Sequence, residues 1–254
     1  MRWSKRLFGR CRPGAPSFPR FLRKGWDSSL VAVLAALAAA ILSISAAAQT
    51  QAAPAPPPVR FVVVLDAAHG GDDPGGRIGN QPEKTVTLAL SVRLRSLLAA
   101  RGIQVVTTRE SDVTLDADRR AEIANHANAQ ACISLHASTS GFGIHLFTSS
   151  LAPAAHAPLP AWRTAQAAWV TRSLALSGEL NAALRQADMD VTLGRTSLLA
   201  VDSMTCPAVA VEVAPERGEN SPAAAAPDDP SYQARVAEAL AAALLEWRSE
   251  GAQL

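Results

Sequence analysis

From Phe61 onward the chain alternates short β-branched runs with amphipathic stretches of helical spacing, which restricts it to layered α/β architectures. Phe61–Leu65 has the composition of a buried strand. Thr85–Arg101 sets Val86, Leu90, Leu94, Leu97 and Leu98 at helical intervals and stops at Gly102, and Gln104–Thr108 is a second strand. A helix over Asp116–Ala129 follows, then strands at Ala131–Leu135 and Ile144–Thr148. Ala152–Ala161, rich in Pro and Ala, reads as a surface excursion, and Trp162–Ala187 as a long helical stretch with a break expected near Ser177-Gly178. Strands at Ser197–Val201 and Pro207–Val213, a loop over Pro215–Pro230 and a closing helix over Tyr232–Trp247 complete the pattern. The expected fold is a single α/β three-layer sandwich with a mostly parallel or mixed central sheet of about six strands and helices on both faces.

Charge is unevenly placed. Residues 1–27 carry eight basic side chains and one acid, Asp27, which leaves 16 basic against 21 acidic residues in the remainder of the 254-residue chain. A mildly acidic domain argues against a nucleic-acid partner. The basic leader runs into the uncharged, Ala- and Leu-rich stretch Leu30–Ala48, which ends in Ala46-Ala47-Ala48. That composition is an export signal, with cleavage after Ala48 favoured over a retained membrane anchor. The expected organisation is a leader with signal peptide or anchor over 1–48, an Ala/Pro-rich tether over 49–58 and a folded domain over 59–250. The destination is the periplasm or cell envelope. Membrane contact arises only through the N-terminal segment if it is retained.

Cys11 lies in the leader, and Cys132 and Cys206 sit in or beside apolar strand-like runs, where they are expected as buried small hydrophobes rather than a disulfide. A bridge between them stays open at this point.

Four residues fall at the ends of the predicted elements: His69 in the turn Asp66-Ala67-Ala68-His69-Gly70-Gly71, Glu83 before the first helix, His136 after Ala131–Leu135, and Glu212 near the end of Pro207–Val213. Strand ends on one edge of an α/β sheet converge in space. Two histidines and a carboxylate are a recurrent zinc set that leaves a position open for water or substrate, and a further carboxylate nearby can act as base. Each has a plainer alternative: Glu83 as a helix-start acid, His136 as a strand-end residue bonded to backbone. Glu212 interrupts the apolar run Ala208–Val211, where an unpaired carboxylate is costly.

These pieces, with Asp73-Pro74-Gly75, Glu83-Lys84, Thr108-Arg109-Glu110-Ser111-Asp112, Arg120–Asn125, Ser134-Leu135-His136-Ala137 and Pro207–Glu212 in this order, resemble the zinc-dependent N-acetylmuramoyl-L-alanine amidases, which cleave peptidoglycan. The resemblance covers Val59 to Trp247. It implies that His69, Glu83 and His136 hold one Zn2+ per chain, that Glu212 is the catalytic glutamate, and that the bond cut joins the lactyl group of N-acetylmuramic acid to L-alanine. Peptidoglycan is the implied substrate, and an activator protein is one partner the family allows. A non-hydrolytic cell-wall-binding or regulatory relative and a zinc peptidase cutting stem peptides are the competing readings. The Trp162–Ala187 stretch occupies the region of an inhibitory helix but is expected to be a core-packing one.

The chain departs from the family pattern in four places. Ala67-Ala68 replaces Pro-Gly before the first histidine, so the turn must be made differently or Ala68 must keep an ordinary backbone. Ser138 replaces Asn. His145 stands where an acidic residue is common and could line the cleft, replace a supporting contact or face solvent, with solvent or packing the favoured reading. Ala214–Gly218 replaces the segment that usually follows the glutamate. His126 and His156 are expected at the surface.

Overall fold

β1 (Val62–Ala67) is buried on both sides of its pleat and apolar apart from Asp66, as suits a strand covered on two faces. The computed structural model describes Ser29 and residues 32–37, 60–153, 162–218 and 223–251. Ser29 and residues 32–37 are helical and exposed. Among the described residues, no helix is long and apolar enough to cross a membrane. Cys11, most of Leu30–Ala48, the tether and His156 lie outside them. All the remaining elements belong to the compact unit Pro58–Leu254.

Those elements are β1, β2 (Arg77–Ile78), β3 (Gln81–Pro82), α1 (Glu83–Ala100), β4 (Gln104–Thr107), α2 (Ala117–His126), β5 (Ala131–Ala137), β6 (Ile144–Ser149), a 3-10 turn at Trp162–Ala168, α3 (Val170–Gln186), β7 (Val191–Thr196), α4 (Leu199–Asp202), β8 (Ala208–Val213) and α5 (Pro230–Gly251). The central sheet has six strands in the order β4-β1-β5-β8-β6-β7, with β2 and β3 forming a separate hairpin. β4, β1, β5 and β8 are mutually parallel, and β6 and β7 run the other way.

Alternation along the strands divides the core. Val63, Leu65, Ile133, Leu146 and Val211 face α1, α3 and α5, whose Leu90, Leu94, Leu180, Leu184, Leu240 and Leu244 are buried against them. Val62, Val64, Cys132, Ala208 and Ala210 face α2 and α4, where Ala121 and Ala124 of α2 keep that layer thin. The three-layer α/β sandwich is as expected.

Local expectations change in three places. The strand expected at Ser197–Val201 lies earlier, at β7, and Leu199–Asp202 is the short helix α4. Gly194 of β7 gives the Phe147 ring room, since a Cβ there would come within 2.8 Å of it. Asp202 folds its carboxylate back to accept from Ser197 Oγ at 2.8 Å and Leu198 N at 3.2 Å, which favours a helical turn over a strand. The Trp162–Ala187 stretch does not break at Gly178, where a Cβ would meet nothing; it breaks at Trp169. There Gln166 is fully buried, donates to Met204 O and Cys206 O at 2.9 and 3.0 Å, and accepts from Ser173 Oγ, so the 3-10 turn is tied to the segment before β8. α3 itself is a core helix, with Leu176, Leu180 and Leu184 fully buried.

The third correction is covalent. Cys132 and Cys206 form a disulfide with Cα atoms 6.2 Å apart, across a separation of 74 residues. The parallel register pairs Cys132 with Ala208, which brings Cys206 beside β5 on the thin face. Closing so long a loop predicts that the double variant Cys132→Ala/Cys206→Ala unfolds at lower guanidinium concentration, with a loss of about 2–4 kcal/mol. Equal midpoints for variant and parent without reductant would show that the bridge does not form in solution.

Candidate active site

The site lies at the C-terminal ends of β1, β5 and β8 and is built around Asp66. Its buried carboxylate accepts from Thr108 Oγ1 at 2.7 Å, Ser134 Oγ at 2.8 Å and Arg120 Nη1 at 2.8 Å. Arg120 also donates to Ala67 O at 2.7 Å and His69 O at 2.5 Å. Arg109 donates from Nε to Ala67 O at 2.9 Å, and from Nη2 to Ala68 O at 3.0 Å and Lys84 O at 2.7 Å. Two buried guanidiniums thus hold three successive carbonyls of the histidine turn. Burial, and then the neighbouring Arg120, lower the pKa of Arg109 from its ordinary value.

This grip explains how the turn works without Pro-Gly. Ala68 keeps an ordinary backbone and donates its N–H to Leu135 O at 3.1 Å, while His69 itself takes the left-handed region at φ 63, followed by Gly70 and Gly71 at φ 132 and 57. A non-glycine residue there costs energy unless its surroundings fix it, which Arg120 does through the His69 carbonyl.

His69 gives its Nδ1 hydrogen to Asp73 Oδ2 at 2.8 Å, which turns Nε2 toward Glu83 Oε2 at 3.1 Å. Glu83 opens α1 directly after the β2–β3 hairpin. Its Oε2 accepts from Gly76 N at 2.9 Å, and its Oε1 from Ala137 N at 3.1 Å and lies 3.2 Å from His136 Nδ1. The two imidazoles meet edge to face at 5.5 Å. Burial alone would raise the Glu83 pKa; hydrogen bonds from His136, His69 and the N–H groups of Gly76 and Ala137 outweigh it and hold the carboxyl well below the usual carboxylate range. The Glu83 hydrogen bond in turn raises His69 against the lowering effect of burial, and Asp73 adds to the rise.

His69, Glu83 and His136 each offer a ligand atom within 4.8 Å of the others, so the group could hold a metal ion. Zinc bonds of about 2.0–2.2 Å to N and O in tetrahedral geometry put ligand atoms about 3.3–3.5 Å apart, close to the two histidine–carboxylate contacts here. A cation between them would take the place of the shared protons.

Glu212 pairs in register with His136 across β5–β8 and with His145 across β8–β6. His145 Nδ1 lies 2.9 Å from Glu212 Oε1, which favours the supporting-contact alternative over the solvent or packing one: the antiparallel sense of β6 brings its first residues to the same edge as the ends of β5 and β8. His126 is exposed and bonds the backbone Glu122 O at 2.9 Å.

A family model described as N-acetylmuramoyl-L-alanine amidase matches residues 63–246. The chain belongs to the N-acetylmuramoyl-L-alanine amidase family. It is similar to the germination-specific amidase of Bacillus subtilis, with 36% identity over 89 residues, 30% of this chain and 38% of that protein. AmiA of Escherichia coli is 44% identical over 78 residues, 30% of this chain and 27% of AmiA. The chain thus spans between 27% and 38% of the length of these two amidases. The catalytic domain of the amidase CwlV from Bacillus (Paenibacillus) polymyxa var. colistinus superposes with a TM-score of 0.57 at 22% identity, covering 74% of this chain and 98% of that one, which establishes the shared fold. The amidase CwlD of Clostridioides difficile, solved in complex with the GerS lipoprotein, matches with a TM-score of 0.57 at 21% identity over 75% of this chain and 99% of that one.

Sequence reasoning assigned no role to Asp66, Arg109 or Arg120, although each lay in a motif piece it used. The signal was the placement of two arginines beside apolar positions, Thr108-Arg109 after a strand and Arg120-Ala121 on the inner face of a helix, where charge needs partners.

Proposed function

We propose that this chain hydrolyses the amide between the lactyl group of N-acetylmuramic acid and the L-alanine of the stem peptide in peptidoglycan, using one Zn2+ held by His69, Glu83 and His136. The convergence of these three donors, with Glu212 next to His136 in strand register, carries the proposal. Zinc bound there supplies Lewis acidity toward the scissile carbonyl and acidifies water.

The remaining chemistry belongs to the side chains. Asp73 fixes the His69 tautomer through Nδ1, so that Nε2 is the ligand atom. Gly76 N and Ala137 N hold the Glu83 carboxylate ionised and oriented. Glu212 takes the proton of the attacking water and delivers it to the departing alanine nitrogen. Glu212 favours an enzyme over a wall-binding or regulatory relative, because a binding module has no use for a base beside the ligands.

Product analysis tests the reading. Purified protein with zinc, incubated with cell-wall sacculi, is expected to release stem peptides that begin with L-alanine, identified by mass spectrometry. Shortened stems still attached to sugar would indicate a zinc peptidase, and co-sedimentation without products a binding module.

Gly75 provides a finer test. It sits at φ 66, and a Cβ there would come within 2.6 Å of His69 Cδ2 and 2.8 Å of Glu83 Oε2. Gly75→Ala is expected to weaken zinc binding about 10–100-fold in competition with a chromophoric chelator, as displaced supporting contacts do. Unchanged affinity would show that the two ligands yield to the methyl group without cost.

We also propose that the 59–250 domain works outside the cytoplasm, delivered by the 1–48 leader and held on the 49–58 tether. The Cys132–Cys206 bridge supports an oxidising compartment. By analogy with CwlD and its lipoprotein, an accessory protein is a candidate partner.

A further inference from the structure

Glu212 has a histidine on either side of it in the sheet. Register pairs it with His136 of β5 and with His145 of β6. The three side chains therefore leave one face of the sheet in a row, about 4.8 Å from strand to strand. His136 belongs to the metal group and His145 does not.

The His145 imidazole is the more enclosed partner, with its side chain 16% exposed against 30% for Glu212. Its ring is boxed in. Gly141, at φ 79, passes so close that a Cβ would lie 2.7 Å from His145 Cε1, and the Phe147 ring stands edge-on at 6.2 Å. A carboxylate oxygen only accepts, so the 2.9 Å contact is His145 Nδ1–H donating to Glu212 Oε1. Among the described residues, neither side chain has another hydrogen-bond partner.

We infer that His145 is a positioning residue for Glu212. It occupies Oε1, fixes the carboxylate plane and leaves Oε2 to collect the proton. The role rests on the amidase reading above. A glutamate on the open edge of a sheet has freely turning side-chain bonds, and a base delivers its rate only when held at the reacting atoms. Here that hold comes from a ring that is itself fixed by Gly141 and Phe147. A pair serving the sheet alone would affect stability and leave turnover untouched.

Two variants separate these roles. His145→Ala is expected to lower kcat on sacculi or a soluble muropeptide about 10–100-fold with KM and zinc content nearly unchanged. His145→Asn, whose amide nitrogen takes the place of the imidazole Nδ1, should recover most of that loss. A second readout needs no activity: imidazole nitrogen NMR shifts should show His145 as the Nδ1–H tautomer, switching when Glu212→Ala removes the acceptor. Wild-type kcat in His145→Ala, or a His145 tautomer indifferent to Glu212→Ala, overturns the inference while the amidase reading stands. A wild-type protein that releases no stem peptide overturns that reading, and the positioning role with it, even where the tautomer readout shows the contact.

Discussion

Glu212→Gln is expected to keep its zinc and lose turnover roughly 10²–10⁴-fold, the usual contribution of a general acid–base group. The substitution preserves shape and removes only the ability to accept a proton at the oxygen that faces the reaction. The amide oxygen can still accept from His145 Nδ1, so the side chain stays anchored. The three residues proposed to hold the metal lie elsewhere, so its content should stay at one per chain. Stem-peptide release measured beside zinc content checks both halves. Full-rate cleavage would remove Glu212 from the mechanism.

Removing His69 should be as severe, and it acts through the metal. The imidazole is one of three donors, and its loss leaves Glu83 and His136 as the remaining pair. Zinc affinity should fall by more than about 100-fold, beyond the loss that follows removal of a supporting contact alone. Activity should fall to background with it. The choice of variant matters because His69 sits at φ 63. Alanine is strained there, whereas asparagine tolerates the left-handed region. His69→Asn therefore deletes the imidazole while sparing the turn, and His69→Ala disturbs both. If both variants lose zinc and only the alanine form loses stability, the ligand role and the backbone role have been separated. Stoichiometric zinc in either variant would sink the assignment.

The sheet and the convergence of His69, Glu83 and His136 were legible because each depended on short-range pattern. Leu90, Leu94 and Leu98 mark one helix face, and His69, Glu83 and His136 follow strands or open a helix, where side chains converge. Details that depended on pairing between distant segments were not legible. His145 belongs to the site because β6 lies antiparallel to β8, and nothing within Gly143–Phe147 states the direction of its neighbour. Cys132 and Cys206 bridge because of the β5–β8 register. The misplaced strand at Ser197–Val201 has the same origin: Asp202, buried by contacts with Ser149 and Ser197, turns an apolar tetrapeptide into a helix that propensity alone does not predict.

The strand order carries a consequence for assembly. β8, the last strand in sequence, lies between β5 and β6. Without residues 208–213 the sheet would fall into two unconnected patches, β4-β1-β5 and β6-β7, and Glu212 would be absent from its edge. A chain made N-terminus first thus gains its final seam and Glu212 together. The cysteine just ahead of β8 can tether that seam to β5 once the environment oxidises it. Under the amidase proposal, the strand that joins the two patches is also the one that sets Glu212 beside His136.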